Sequence, residues 1–333
     1  MNEVSHPQEK GRVEEITHQR EAIGFDQIGR GLALTHRPFD AVEISRAPVD
    51  VETSPSLWMM IERGCPPEVQ QKLIGYAESG GRLILIGRLP VEDVEGRPAP
   101  LKRALGIRAV RPRPPYAVHE IAIFDDPHVP VTFLETYDGE FDEVFARAGD
   151  GEAVGLVKSV GRGRVMLLGA ALPANTLEDV AVVDRMAQNM GIPRLFEVEE
   201  WLDLRLSEGE NGSFLFVNNY QDDPVETKIR LNGETLFGGR PLRVEARRGL
   251  ILPLAWRLGE GVILHSLTAE VSEAARGADE ILLRLSPERF CAELSLPDGW
   301  VVEGAQPEEQ RGAAGRTLVE GEGTLRLRRR AAT

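Results

Sequence analysis

The apolar positions change period twice between Leu57 and Ile107, and that stretch organises the chain around it. Leu57–Ile61 is a short unbroken apolar run, the pattern of a strand covered on both faces. Val69, Leu73, Tyr76 and Ala77 then recur at helical spacing. Pro66 and Pro67 precede them and suit a first turn, where an N–H would be unpaired anyway. Ser79-Gly80-Gly81 stops the helix, because glycine enters the left-handed C-cap conformation without a Cβ penalty. Leu83–Ile86 is a second buried run, followed by a long loop and a short helix up to Ile107. Strand, helix and strand in this order form a βαβ unit, which predicts a parallel-sheet domain.

Residues 1–9 are polar and read as a flexible N-terminus. Lys10–Thr35 reads as mostly helical, with Ile16, Ile23, Phe25, Ile28 and Leu32 inward, against the breaking tendency of Gly24, Gly29 and Gly31. After Pro38, Ala41–Ile44 predicts a short strand and Val49–Ser54 an extended link. Val118–Phe124 and Val131–Thr136 predict strands on either side of a turn at Asp125-Asp126-Pro127-His128. Ala153–Ser159 and Arg164–Leu168 predict a hairpin around Gly161-Arg162-Gly163. Thr176–Met190 predicts a helix with Leu177, Val180, Val183, Met186, Ala187 and Met190 inward, closed by Gly191 and Pro193. The first domain is expected over 10–195.

From 196 to 333 the pattern is different. Short strand-like runs recur between Asn-Gly, Gly-Gly and Asp-Gly turns, with no long amphipathic helix, which predicts an all-β sandwich or barrel region of one or two small domains. The tail TLRLRRR alternates leucine with arginine, as a last strand with one wet face does.

Composition narrows the functional classes. The 333 residues are 42% hydrophobic and 28% charged, a folded chain long enough for two or three cores. Its 53 acidic against 39 basic residues give a net charge of −14, the wrong sign for a general nucleic-acid binder. No run approaches the ~20 apolar residues of a membrane helix, and the first residues lack the apolar core of a signal peptide, so a cytoplasmic location is expected. Cys65 and Cys291 lie far apart in sequence, as expected of free thiols in a reducing compartment.

Ligands of open α/β sheets gather beyond the carboxyl ends of the strands, which singles out Glu62, Arg63, Cys65, Glu92 and Asp93 as a candidate strand-end site. Cys65 sits between strand and helix, but Pro66 and Pro67 remove the backbone N–H groups an oxyanion would need, so a packing role is expected. Asp125, Asp126 and His128 have metal-ligand chemistry, yet Asp-Asp-Pro is also a turn opening, and no metal is expected. The Gly161–Arg164 segment stands between strands rather than before a helix, so it is not a phosphate loop and no cofactor is expected. Trp201, Tyr220, Trp256 and Trp300 could stack on sugar rings, with core packing as the alternative for each.

Three segments, in order, carry a family resemblance: PPEVQQKLIGYAESGGRLILIGRLPVEDVEGRPAPLKRALGI, then VGLVKSVGRGRVMLLGAALP with its helix to MGIP, then GSFLFVNNYQDDPVETKIRL with RRGLILPLAW. Together they resemble the non-catalytic C-terminal region of bacterial β-galactosidases of glycoside hydrolase families 35 and 42. The resemblance implies a flavodoxin-like or class I amidotransferase-like domain used in oligomer assembly, followed by β-sandwich-type domains. It also implies, as partner, a catalytic barrel with two glutamates, to which nothing in this chain corresponds. The expectation is thus an assembly module, homo-oligomeric, without catalytic residues of its own. The alternatives are an independent small hydrolase at the strand ends or a carbohydrate-binding module.

Overall fold

The computed structural model describes residues 28–92, 96–114, 119–131, 133–171, 177–303, 306–311 and 316–330. They divide into two compact units, one of residues 28–35 and 39–193, the other of 36–38 and 194–330.

The first unit is built on β1 (Ser56–Ile61), helix α1 (Pro67–Glu78) and β2 (Arg82–Gly87), followed by the short helix α2 (Pro100–Ala104). Then come β3 (Ile107–Pro112), β4 (His119–Ile123), β5 (Asp126–Val131), β6 (Glu135–Gly139), β7 (Glu143–Ala148), β8 (Ala153–Val160), β9 (Gly163–Leu168) and helix α3 (Leu177–Asn189). All nine strands join one sheet, whose main path runs β1-β2-β9-β8-β7-β4-β5. Only β1, β2 and β9 are parallel; from β8 outward the pairing is antiparallel. The sheet is therefore mixed, with a parallel third and an antiparallel remainder.

Strand alternation divides the apolar side chains between two faces. Leu83 and Leu85 pack with Leu73, Tyr76 and Ala77 of α1. Ile84 and Ile86 pack with Val183 and Met186 of α3, with Met190 just beyond it, and with Leu32 of a helical segment at 28–34. Helices thus cover both faces of the parallel strands. β1 is half-buried over most of its length because it lies at the sheet edge, where a strand has a neighbour on one side only. Gly161, at φ +59, makes the hairpin turn between β8 and β9.

Several expectations require correction. Ala41–Ile44 is exposed chain ending in a turn, with no partner strand. Val49–Ser54 closes as a turn because the Asp50 carboxylate accepts the Glu52 and Thr53 N–H groups. The turn after β4 lies at Phe124–Asp125, and Asp126–Val131 pairs with β4 as a strand. The expected strand Val131–Thr136 is the end of β5 and the start of β6. Residues 10–27 of the expected first helix, Val118 and Thr176 lie outside the described residues.

Among its described residues, the second unit is all β apart from one short 3-10 turn at Phe237–Gly239. Its strands are β10 (Phe196–Val198), β11 (Asp203–Gly209), β12 (Gly212–Asn218), β13 (Val225–Thr227), β14 (Ile229–Leu231), β15 (Glu234–Thr235), β16 (Leu242–Val244), β17 (Gly249–Gly259), β18 (Val262–Leu267), β19 (Glu270–Arg276), β20 (Glu280–Ser295), β21 (Trp300–Glu303), β22 (Gln306–Arg311) and β23 (Thr317–Arg329). The largest sheet follows β11-β12-β17-β18-β20-β23-β21. It supports two apolar cores, one around Leu215, Leu252 and Phe237 and one around Leu283, Phe290 and Leu327. The arginine–leucine tail lies in β23, with Leu325 and Leu327 buried and Arg326 and Arg328 wet. The short strand-like runs expected here include one long strand, β20, interrupted by a register shift against β23 between Arg284 and Arg289.

Candidate functional site: the carboxyl ends of the parallel strands

Glu135, at the start of β6, ties together the ends of all three parallel strands. Its Oε1 accepts Nη2 of Arg63, just beyond β1, at 2.6 Å. Its Oε2 accepts the Leu89 N–H, just beyond β2, at 3.2 Å. Its own N–H donates at 2.7 Å to the carbonyl of Gly169, the residue after β9. Arg63 closes the ring by donating Nη1 to the Leu89 carbonyl at 3.1 Å. The Glu135 side chain is 2% exposed and that of Arg63 37%. Burial pushes the Glu135 carboxyl up, opposed by the neighbouring Arg63 charge. A buried carboxylate keeps its charge at tolerable cost only when paired and hydrogen-bonded, and this one is both.

Tyr137, two residues along β6, is buried, and its hydroxyl finds no hydrogen-bond partner among the described residues. Burial, and after it the Glu135 charge, hold the phenol well above its usual range. Gly169 permits this arrangement: a Cβ there would stand 2.4 Å from the Tyr137 hydroxyl and 2.7 Å from the Glu135 carbonyl. Arg88 completes the edge of the cluster, its guanidinium 5.2 Å from the Phe133 ring centroid.

Of the strand-end residues singled out from the sequence, Arg63 lies in this cluster and Glu62 acts on it through its charge. Cys65 lies just before α1, where burial, reinforced by Glu68, pushes its thiol up to about 11. That is the opposite of what a nucleophilic thiolate requires. Glu92 is exposed and bridges to Pro98, apart from the cluster; Asp93 lies outside the described residues. Glu135 and Tyr137 were not legible as partners, since 72 residues separate Glu135 from Arg63. The available signal was an ionisable residue inside the strand-like stretch Val131–Tyr137.

Other candidates are dispersed. Asp125 pairs with Arg185, and the Asp126 carboxylate accepts the His128 N–H, as in a turn opening. Cys65 and Cys291 are free thiols. Trp300 is 6% exposed within a core and presents no face to a sugar. Trp256 is half-buried, with the Arg276 guanidinium 5.0 Å over its ring. Trp201 is half-buried, and Tyr220 is 57% exposed.

The described residues thus combine a mixed sheet, covered by helices on both faces of its parallel strands, with an all-β unit. Residues 7–140 match the family model described as GLMA-like, second domain. Among curated proteins, the chain is 23% identical over 218 residues to a β-1,2-glucosyltransferase of Ignavibacterium album, covering 65% of this chain and 30% of that protein. It is 28% identical over 250 residues to an exo-β-D-glucosaminidase of Thermococcus kodakarensis, covering 71% and 31% respectively. In fold it is similar to a β-galactosidase of Bacillus circulans sp. alkalophilus, with a TM-score of 0.55, 16% identity, and coverage of 70% of this chain and 37% of the other. The chain therefore spans about a third of the length of these relatives. The resemblance to a β-galactosidase region read from the sequence is matched by the fold.

Proposed function

We propose that the chain is the non-catalytic assembly region of a β-galactosidase-like glycoside hydrolase, working with a catalytic barrel carried elsewhere. The observation that carries this reading is the fold similarity, which takes in 70% of this chain but only 37% of the β-galactosidase. The relatives support it from another side. One is named a glucosyltransferase and another a glucosaminidase, so the shared region accompanies different chemistries and does not decide between them.

The strand-end geometry agrees with a structural role. The Arg63 guanidinium and the Glu135 carboxylate are turned on one another and on the Leu89 backbone. In this reading the parallel third of the first unit is the core of a flavodoxin-like or amidotransferase-like domain, and the second unit is sandwich-type. The assembly is a closed homo-oligomer, the usual outcome when one surface pairs with its own copy, and it works in the cytoplasm. No helix among the described residues is long and apolar enough to cross a membrane.

The test is to assay the purified chain on nitrophenyl β-galactoside and β-glucosaminide while following its sedimentation. Self-association without turnover is the expected result. Turnover by this chain alone, or a monomer at all concentrations that fails to bind a barrel partner, would contradict the proposal.

A further inference from the structure

Six large apolar side chains are strongly exposed among the described residues, and four of them, Phe214, Phe216, Tyr220 and Ile251, belong to one corner of the second unit. Alternation along β11, β12 and β17 sends Leu204, Leu215, Val217 and Leu252 into the core and leaves Arg205, Phe214, Phe216 and Ile251 exposed. The register sets Arg205, Phe216 and Ile251 in one outward row and Asp203 beside Asn218 in the next. Phe214 follows Phe216 along β12, two positions or ~7 Å away.

Polar groups rim these rings. Asp203, 6% exposed, accepts Nδ2 of Asn218 at 3.3 Å and the Tyr220 hydroxyl at 3.5 Å, and Nε of Arg205 stands 3.6 Å from its other oxygen. Tyr220 is held by a locked turn. The buried Asn219 accepts the Gln221 N–H and donates to the carbonyls of Asp223 and Val244. A ring presented by a preorganised turn loses little entropy on binding.

We infer that this outer face is a saccharide-binding platform for a short hexopyranose oligosaccharide. A pyranose offers an apolar C–H face and a rim of hydroxyls. The sheet offers aromatic carbon with the Asn218 amide, the Arg205 guanidinium and the Tyr220 phenol around it, each engaged by the buried Asp203 carboxylate. Size and charge argue against other occupants. With ~150–250 Å² for a whole aromatic side chain, the four exposed side chains present roughly 350 Å² of apolar surface, below the ~450 Å² of apolar surface that each partner of a stable protein interface contributes. The net charge of −14 disfavours nucleic acid and anionic membrane. Two phenyl rings in line along one strand suit successive sugars better than a single ring.

Isothermal titration of the whole chain with a β-1,4-linked glucose trisaccharide, and separately with its glucosamine counterpart, tests the inference and separates neutral from amino sugars. Saturable binding to at least one, with a dissociation constant of ~0.1–1 mM, is expected. It should weaken at least ~10-fold in Phe216→Ala and in Tyr220→Ala, with thermal melting confirming that each variant is folded. Tyr220 is on the surface, so its variant keeps the test open if Phe216→Ala fails to fold. No saturable heat from either sugar, or unchanged affinity in a folded variant, overturns the inference. So does self-association abolished by Phe216→Ala without sugar binding, which would make a second copy the occupant.

Discussion

Glu135 holds three strand ends through one side chain, so its replacement separates charge from shape. Glu135→Gln keeps an oxygen for the Leu89 N–H but loses the charge-assisted bond to Arg63. About 1–3 kcal/mol of stability should be lost, since bonds to charged groups contribute ~1.5–3 kcal/mol and buried unpaired groups cost a similar amount. A fall in the denaturation midpoint at unchanged slope is the measurement, and an unchanged midpoint would remove the pin from the account. Cys65 gives a chemical prediction at the same scale. With its thiol pushed up to about 11 by burial and Glu68, it should react with iodoacetamide at pH 8 far more slowly in the folded chain than after unfolding.

His36 sets a pH dependence. It is buried, Nε2 lies 2.7 Å from the Leu202 carbonyl, and its ring meets Phe196 edge-on. Burial lowers its proton affinity, with Arg194 and Arg37 adding to the effect while the Leu202 carbonyl and Asp203 oppose it. The unfolded chain therefore binds the proton more readily. The contribution of His36 is complete above the ordinary imidazole range, about 6.5, and is lost as pH falls through the depressed folded value. Urea melts from pH 8 to 5 should show that decline, and it should be shallower in His36→Gln. Equal slopes would refute the assignment.

At the level of elements, glycines decide where backbones can meet. Gly87 ends β2 at φ +130, and a Cβ there would stand 2.2 Å from the Ile61 carbonyl of β1. Gly87→Ala meets both strain and a backbone clash that no rotamer relieves, so it should cost ~3 kcal/mol or more. Gly75→Ala on α1, where a Cβ meets nothing within 4 Å, should instead stabilise by up to ~1 kcal/mol. Thermal melts of the two variants test the contrast. The elements legible in the sequence were those with strong periodicity and their own punctuation: α1 between Pro67 and Ser79, β2, the β8–β9 hairpin around Gly161, and α3. β3 and β7 were missed because Arg108, Arg111, Glu143 and Arg147 interrupt their apolar pattern. In the fold Arg108 and Arg111 pair with Asp138 and Glu152, while the Arg147 guanidinium bonds the Gly151 carbonyl.

At the level of the molecule, local pattern was enough to announce a βαβ unit followed by an all-β region, because burial of alternating or helical apolar positions is written residue by residue. It also argued for a packing role of Cys65, since the two prolines after it are visible in the chain. Tertiary structure alone decided the rest. That β9 lies beside β2, that only three strands run parallel, and that Glu135 reaches Arg63 across 72 residues are long-range pairings. The grouping of Phe214, Phe216 and Ile251 into one outward face with Asp203 is of the same kind. Their free energy comes from contacts between segments with no local signature of one another, so each residue carried its chemistry in the sequence and only folding gave it neighbours.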